Sequence, residues 1–200
     1  ESLLAFAGWA IELTSAWLEL MDWGTIAPAP GPVGAMLLGC AVSGEGKAEA
    51  GMGVLFEDLN GDLKPDIFVT HLRAETNTFY NMGKRRYKDD TRKTGTVQAS
   101  TLVTGFGAGC ADFDQDGILD IYVANGRVGD ATPRFSNERP LAEPDQVFRG
   151  IGGGVFSEVK PRGGIAEDFF SVARGVALGD IDGDGDIDVI VQDNSASVRI

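Results

Sequence analysis

The sequence is short of positive charge. Only 17 of its 200 residues are lysine or arginine, against 30 aspartates and glutamates, so the formal net charge is −13. Nucleic acids and anionic membranes bind proteins mainly through lysine and arginine, so we expect neither as a partner. A chain with this balance of charge is expected to attract cations.

Cysteine and histidine are almost absent. Cys40 and Cys110 are too few for a disulfide framework, and no CxxC pair is present. A bridge between these two cysteines is possible, but nothing in the sequence supports it. His71 is the only histidine, and no nucleophile is recognisable beside a base, so we expect no catalytic site.

A membrane span and a secretory signal are not recognisable either. The longest uncharged stretch, residues 23–44, contains three prolines, which disfavour a spanning helix. The apolar start carries no basic residue before Lys47 and therefore lacks the positive region of a signal peptide. We expect the chain to be a fragment of a longer protein.

Residues 1–39 form a divergent N-terminal segment. Four polar residues there follow helical spacing: Glu12, Ser15, Glu19 and Asp22. They predict a helix that ends near Gly24, followed by a proline-rich linker. A packing helix is the preferred interpretation, with a partner-binding or membrane-surface helix and an unfolded segment as alternatives.

The remaining residues, 40–200, contain a threefold repeat. Acidic loops at 58–66, 112–120 and 180–188 start 54 and 68 residues apart. Each loop runs into a β-type segment, DIFVT, DIYVA or DVIVQ, and a glycine stands five residues before each loop: Gly53, Gly107 and Gly175. A repeat of about 50–60 residues with about four strands has the size of a β-propeller blade.

The predicted fold is therefore all-β. We expect a partial β-propeller of about three blades of antiparallel strands, preceded by the short helical segment. The longer second period comes mainly from residues 125–146, which are rich in proline and polar residues and are expected to form a surface loop. About three blades cannot close a ring, so the remaining blades are expected to be missing from this chain.

Each acidic loop offers oxygen ligands at alternate positions. Side chains at positions 1, 3, 5 and 9, together with the backbone carbonyl at position 7, can converge on one cation. Such an all-oxygen set suits Ca²⁺, fits Mg²⁺ less well and disfavours zinc and copper. We therefore predict about three calcium ions. The candidate ligands are Asp58, Asn60, Asp62, Lys64 and Asp66 in the first loop, Asp112, Asp114, Asp116, Ile118 and Asp120 in the second, and Asp180, Asp182, Asp184, Asp186 and Asp188 in the third.

Two other interpretations fit part of this pattern. An EF-hand loop needs a glutamate at position 12 and flanking helices, but Val69, Val123 and Val191 stand there within strand segments. Acidic turns without any metal are the other alternative, since aspartate and glycine both favour turns. The occurrence of three loops in register favours metal binding over this alternative.

The first loop departs from the other two. It has the neutral Asn60 at position 3, and Leu63 at position 6, where the others have Gly117 and Gly185. A residue other than glycine costs about 1 kcal/mol where φ must be positive. We predict that the first loop is the weakest of the three sites.

Comparison between the repeats also predicts structural roles for residues outside the acidic loops. His71 occupies the position of Asn125 and Asp193, which predicts a residue in a turn rather than a catalytic base. Cys110 shares its position with apolar residues in the other repeats, which predicts a small core residue. The basic cluster that includes Lys84, Arg85 and Arg86 is expected at a hairpin tip.

These motifs resemble the FG-GAP/VCBS repeats of integrin-α-type propellers. The segments GKAEAGMGV, DIFVTHLRAETNTFYNMG, TGFGAGCADFDQDGILDIYVANG and VARGVALGDIDGDGDIDV are more specifically similar to the cartilage acidic protein group, whose propellers are often followed by an ASPIC/UnbV domain. The resemblance covers residues 40–200. Carried over by position, the family's metal ligands correspond to the candidate ligands given above.

The resemblance implies a calcium-stabilised propeller without catalysis of its own. It implies a binding, adhesion or scaffold surface on a secreted or cell-surface protein, with protein or carbohydrate as the ligand. One alternative is an accessory propeller of a calcium-dependent extracellular enzyme. A surface protein with a purely structural role is another.

Overall fold

The computed structural model describes residues 32–129, 135–162, 170–194 and 196–200. In these residues the fold consists mainly of antiparallel β-sheets. Helical structure there is limited to α1 (Pro32–Leu38), α2 (Val97–Ser100) and a 3₁₀ turn (Thr91–Lys93), and neither helix has the length and hydropathy needed to cross a bilayer. The all-β prediction is confirmed, and the helix predicted to end near Gly24 lies outside the described residues.

The first sheet has four strands in chain order, each antiparallel to the next. They are β1 (Val54–Glu57), β2 (Asp66–Val69), β3 (Thr78–Met82) and β4 (Tyr87–Asp89). The first acidic loop joins β1 to β2, and the basic cluster lies at the tip of the hairpin between β3 and β4, where the Gly83 amide donates to the Arg86 carbonyl over 2.9 Å. Both placements are as the sequence predicts.

The second sheet repeats this arrangement, and its strand order is β5-β6-β8-β9. Its strands are β5 (Gly105–Ala111), β6 (Asp120–Asn125), β8 (Gln146–Gly150) and β9 (Phe156–Glu158). Between β6 and β8 the chain forms β7 (Glu143–Pro144), which pairs with β10 (Phe170–Ser171). The predicted unit of strand, acidic loop and three further strands is therefore present twice.

A third sheet contains the last acidic loop. It pairs β11 (Ala173–Gly179) with β12 (Asp188–Asp193), and Val191 makes a further antiparallel bridge to Arg199. In all three sheets the aspartate at position 9 of the loop begins the second strand, opposite the residue that precedes the loop. The described sheets follow one another as in a propeller but do not close into a ring.

Hydrophobic clusters join each sheet to the next. Alternate residues of the first sheet, including Phe68 and Phe79, pack against Ile121 and Phe148 of the second. The opposite face of the second sheet packs through Tyr122 onto the third sheet. Because side chains alternate along a strand, one sheet can supply both interfaces, as propeller blades do.

The two cysteines lie in different hydrophobic clusters. Cys40 packs on the outer face of the first sheet, whereas Cys110 packs between the first and second sheets. Both are free thiols, and burial raises the pKa of each to about 11. Cys110 is partly buried and packs against the core that the first two sheets share, which agrees in part with its prediction as a core residue.

The glycines that precede the loops set the spacing between sheets. A Cβ atom on Gly53 would lie 2.0 Å from the carbonyl oxygen of Phe106, and one on Gly107 would lie 2.7 Å from the amide nitrogen of Val176. Both atoms belong to the first strand of the following sheet, so a side chain at either position would force the sheets apart. At Gly175 the nearest atom to such a Cβ is the Cβ of Gln192, at 3.6 Å.

Gly107→Ala is therefore expected to destabilise the protein by about 1–3 kcal/mol, the usual cost of overpacking. Gly175→Ala is the matched control, since it makes the same substitution at the equivalent position where there is space. Urea unfolding of the two variants measures the difference. Equal stability of the two variants would show that the close approach at Gly107 does not set the sheet spacing.

Candidate cation-binding loops

The first aspartate of each loop organises the loop backbone. Its carboxylate accepts hydrogen bonds from amides three to five residues further along the chain. The donors are Gly61, Asp62 and Leu63 to Asp58 at 2.7–3.0 Å, Asp116 and Gly117 to Asp112 at 2.8–2.9 Å, and Gly183 and Gly185 to Asp180 at 2.7–3.1 Å. All three loops therefore curl around the side chain at position 1.

The side chains at positions 3 and 5 tighten the same curl. At position 3, Asn60 and Asp182 each accept the amide two residues ahead, at 2.8 and 3.2 Å. At position 5, Asp62, Asp116 and Asp184 do the same at 2.9–3.0 Å. The bonds from position 5 hold the backbone amides of Lys64, Ile118 and Asp186 in place. The role of the carbonyls of these three residues as cation ligands stays a prediction.

Carboxylate oxygens converge in two of the loops. Asp112, Asp114 and Asp116 each offer an oxygen within 4.8 Å of the others, and so do Asp180, Asp182 and Asp188. Oxygens that share one Ca²⁺ at about 2.3–2.6 Å can be no more than about 5 Å apart. The donor sets of the second and third loops therefore fit a hard dication, and two predicted ligands, Asp120 and Asp184, lie outside these groups.

The aspartate at position 9 ties the loop to its sheet. Asp66 and Asp120 are both buried, at 0% and 2% exposure. Asp66 accepts the amide of Met82 at 2.9 Å, and Asp120 accepts the amides of Gly150 and Phe113 at 2.7 and 3.0 Å. The carboxylate therefore connects the loop to the third strand of the sheet.

Asp66 also has an oxygen that remains unsatisfied. Its Oδ2 is buried and makes no hydrogen bond in the described part of the chain. Burial, reinforced by the charges of Asp62 and Asp58 and opposed by the Met82 amide, raises the pKa of Asp66 to about 6. A buried carboxylate oxygen without a partner is costly, and a cation in the first loop would remove that cost.

The loops also depend on left-handed backbone conformations. Position 6 has a φ of 64° at Leu63, 86° at Gly117 and 97° at Gly185. This confirms that Leu63 occupies a position that favours glycine. Position 4 has the same property and was missed by the sequence analysis, although Gln115, with a φ of 58°, stands where the other loops have glycine.

Gln115 also links two neighbouring loops. Its Nε2 donates a hydrogen bond to Oδ1 of Asp186 in the third loop. The second and third loops are therefore in direct contact, although 71 residues separate the two side chains in sequence.

His71 lies in a buried niche on the outer side of the first sheet, 5% exposed. Its Nε2 is 3.9 Å from Glu49 Oε2 and its Nδ1 is 4.0 Å from Glu75 Oε2, and neither nitrogen makes a hydrogen bond within the described residues. Burial lowers the pKa of His71 to about 4, although a backbone contact with Ala50 and the charge of Asp89 oppose this. Its amide donates to the side chain of Asn77 at 3.1 Å, which holds the turn after β2.

Two acidic residues in the insertion are buried, although the sequence predicts a surface loop there. Glu143, at 0% exposure, pairs with Nε of Arg127 at 3.1 Å. Asp145, at 1%, accepts hydrogen bonds from the Tyr122 hydroxyl, the Asn125 amide and Nη2 of Arg199, at 2.7–2.9 Å. The end of the expected surface loop is therefore buried, and burial raises the pKa of both carboxyl groups.

Successive antiparallel sheets, each with an acidic loop between its first two strands, define a propeller-like repeat protein. A family model for the FG-GAP-like repeat matches residues 58–123, from the first position of the first loop to the middle of β6. The match supports the FG-GAP repeat and does not extend to the more specific ASPIC/UnbV type. Comparison with curated proteins gives no significant match.

Leu63→Gly is expected to stabilise the protein by about 0.5–1 kcal/mol, because glycine adopts positive φ without strain. Leu63 is 93% exposed, so the substitution removes little packing. Leu102→Gly, at an exposed leucine without positive φ, is the control and should destabilise instead. The free energy of unfolding in urea measures both effects, and destabilisation by Leu63→Gly would contradict the assignment of strain.

His71 is expected to make stability depend on pH. Because its pKa is lowered from 6.5 to about 4 in the folded protein, its contribution is complete above pH 6.5 and is lost as the pH falls towards 4. The loss reaches about 3 kcal/mol at most. Glu49 and Glu75 lie beside the His71 ring, the charge of Asp89 also acts on it, and all three acidic residues are retained in a His71 variant.

His71→Asn, which introduces the residue found at the equivalent position of the second sheet, isolates this effect. Urea unfolding at several values between pH 7 and pH 4 should show a shallower loss of stability in the variant. Parallel profiles of stability against pH for the two proteins would exclude His71 as the source of the pH dependence.

Proposed function

We infer that this chain is a non-enzymatic, calcium-binding part of a β-propeller whose three acidic loops each hold one Ca²⁺. The observation that carries this inference is the convergence of carboxylate oxygens in the second and third loops, whose hydrogen-bonding pattern the first loop shares. The unsatisfied buried oxygen of Asp66 supports a cation in the first loop as well.

The donor chemistry favours calcium over other metals. The loop side chains at ligand positions are carboxylates and one amide, without sulfur or imidazole, which disfavours zinc and copper. A flexible ring of oxygens suits the larger Ca²⁺, whereas Mg²⁺ demands near-octahedral geometry and retains several waters. Aspartates that already accept loop amides keep further lone pairs for a metal, because an ionised carboxylate has about four acceptor sites.

The proposed role of the metal is structural. Each loop joins the first two strands of a sheet, so carboxylate repulsion in the loop opposes formation of that strand pair. Calcium would cancel this repulsion. Extracellular modules bind calcium with dissociation constants of about 10⁻⁴–10⁻³ M, which is sufficient where calcium is millimolar. Such loops suit a secreted or cell-surface protein.

The proposed activity is binding, adhesion or scaffolding of a protein or carbohydrate ligand. Stacked sheets with interlocking cores form a rigid support, and the loops at the strand ends are exposed for contact with a partner. The ASPIC/UnbV-associated group is the proposed family within the FG-GAP repeats.

Thermal melts with millimolar calcium and with chelator test the metal directly. We expect calcium to raise Tm by about 5–15 °C, since binding at several sites above their Kd stabilises the folded state. Magnesium at the same concentration should raise Tm less. Asp112→Asn and Asp180→Asn should each lose part of the calcium effect.

Glu45→Gln is the control for these variants, because it removes one exposed acidic charge outside the loops. It should retain the full response to calcium. An identical Tm with calcium and with chelator would contradict the proposal.

A further inference from the structure

Arg149 lies inside the cluster of carboxylates in the second loop. It belongs to β8, the third strand of the second sheet, and reaches over to the loop between the first two strands. Its Nε is 2.5 Å from Asp114 Oδ2 and its Nη2 is 2.9 Å from Asp116 Oδ2. The positive charge of Arg149 is therefore paired with two of the three converging carboxylates.

These two carboxylates are the more available ligands of the loop. Both oxygens of Asp112 already accept loop amides, from Asp116 and Gly117. Oδ1 of Asp116 also accepts an amide, but Oδ2 of Asp114 and Oδ2 of Asp116 both face Arg149, so these are the oxygens for which a dication would compete with it. A guanidinium group is always charged and donates in a planar fork, so it competes for the same oxygens.

The first loop has no equivalent arginine. Strand registers place Arg149 at the position of Asn81 in the first sheet, because Tyr80 pairs with Ile67 as Phe148 pairs with Ile121. Asn81 donates to Asp90, away from the acidic loop, over 3.4 Å. The first loop has only Lys64 paired with its neighbour Asp62, at 2.6 Å. The first two loops therefore differ in how their charge is balanced, although their backbones are alike.

We propose that Arg149 is a built-in counter-ion of the second loop, which neutralises Asp114 and Asp116 in the metal-free state and is displaced when Ca²⁺ binds. This inference rests on the proposed calcium binding. Its side chain is 52% exposed and can swing into solvent without breaking core packing. The second loop consequently stays folded at low calcium and binds the ion more weakly than its four aspartates alone would.

Arg149→Asn tests the proposal, because it introduces the residue that the first sheet has at this position. Titration calorimetry with calcium chloride should show one site whose affinity rises about fivefold, the scale set by loss of an exposed ion pair. The variant should also melt at a lower temperature in chelator, since the repulsion between Asp114 and Asp116 is no longer balanced.

Arg92→Asn is the matched control, since Arg92 is exposed and pairs with Glu45 outside the loops. It makes the same change in net charge. It should leave calcium affinity unchanged and should lower the melting temperature in chelator by less than Arg149→Asn does. Adding Asp112→Asn to Arg149→Asn should abolish the gain in affinity, which assigns that gain to the second loop.

The possible outcomes separate this inference from the proposed function. If the wild-type chain binds calcium and Arg149→Asn binds it equally well or less well, the counter-ion role is wrong and calcium binding stands. A drop in melting temperature no larger than that of Arg92→Asn would also overturn the counter-ion role. If no variant binds millimolar calcium, the proposed function fails and this inference fails with it.

Discussion

Repulsion between crowded carboxylates is the constraint on which the rest of this structure depends. Each loop places aspartates at alternate positions directly between two strands that must pair. Backbone amides stabilise part of this negative charge, since the aspartates at positions 1 and 9 accept hydrogen bonds from them in all three loops. The charge that remains calls for a cation, and calcium is the one that we propose.

Each sheet converts this local chemistry into long-range order. The aspartate at position 9 of the loop also begins the second strand. In the first two sheets its carboxylate accepts a backbone amide from the third strand of the same sheet. In the first two sheets, the glycine five residues before the loop then allows the next sheet to approach closely. The ordering of a loop is therefore connected to the pairing of strands, and strand pairing to the packing between sheets.

Much of this arrangement could be predicted from the sequence because it repeats. Aspartates at alternate positions followed by valine and isoleucine define the loops and second strands, and comparison between loops identified Leu63 as the residue out of place. Position 4 could have been found in the same way, since Gln115 replaces a glycine in the other two loops.

The contacts that the sequence did not predict are those made across long separations. Arg149 reaches Asp116 from 33 residues away, and Arg199 reaches Asp145 from 54 residues away. Asp145 is polar and lies in a proline-rich segment, which predicts exposure, but strand pairing and a buried network override that local pattern. A counter-ion can be recognised only once the fold shows which strand passes the loop.

The most direct test of the central claim is a crystal structure determined in millimolar calcium. We predict an ion in each of the three loops, with aspartate oxygens at about 2.3–2.6 Å and Arg149 turned away from Asp114 and Asp116. Loops that hold no ion in such a crystal, with Arg149 still bound to both carboxylates, would contradict calcium binding by these loops.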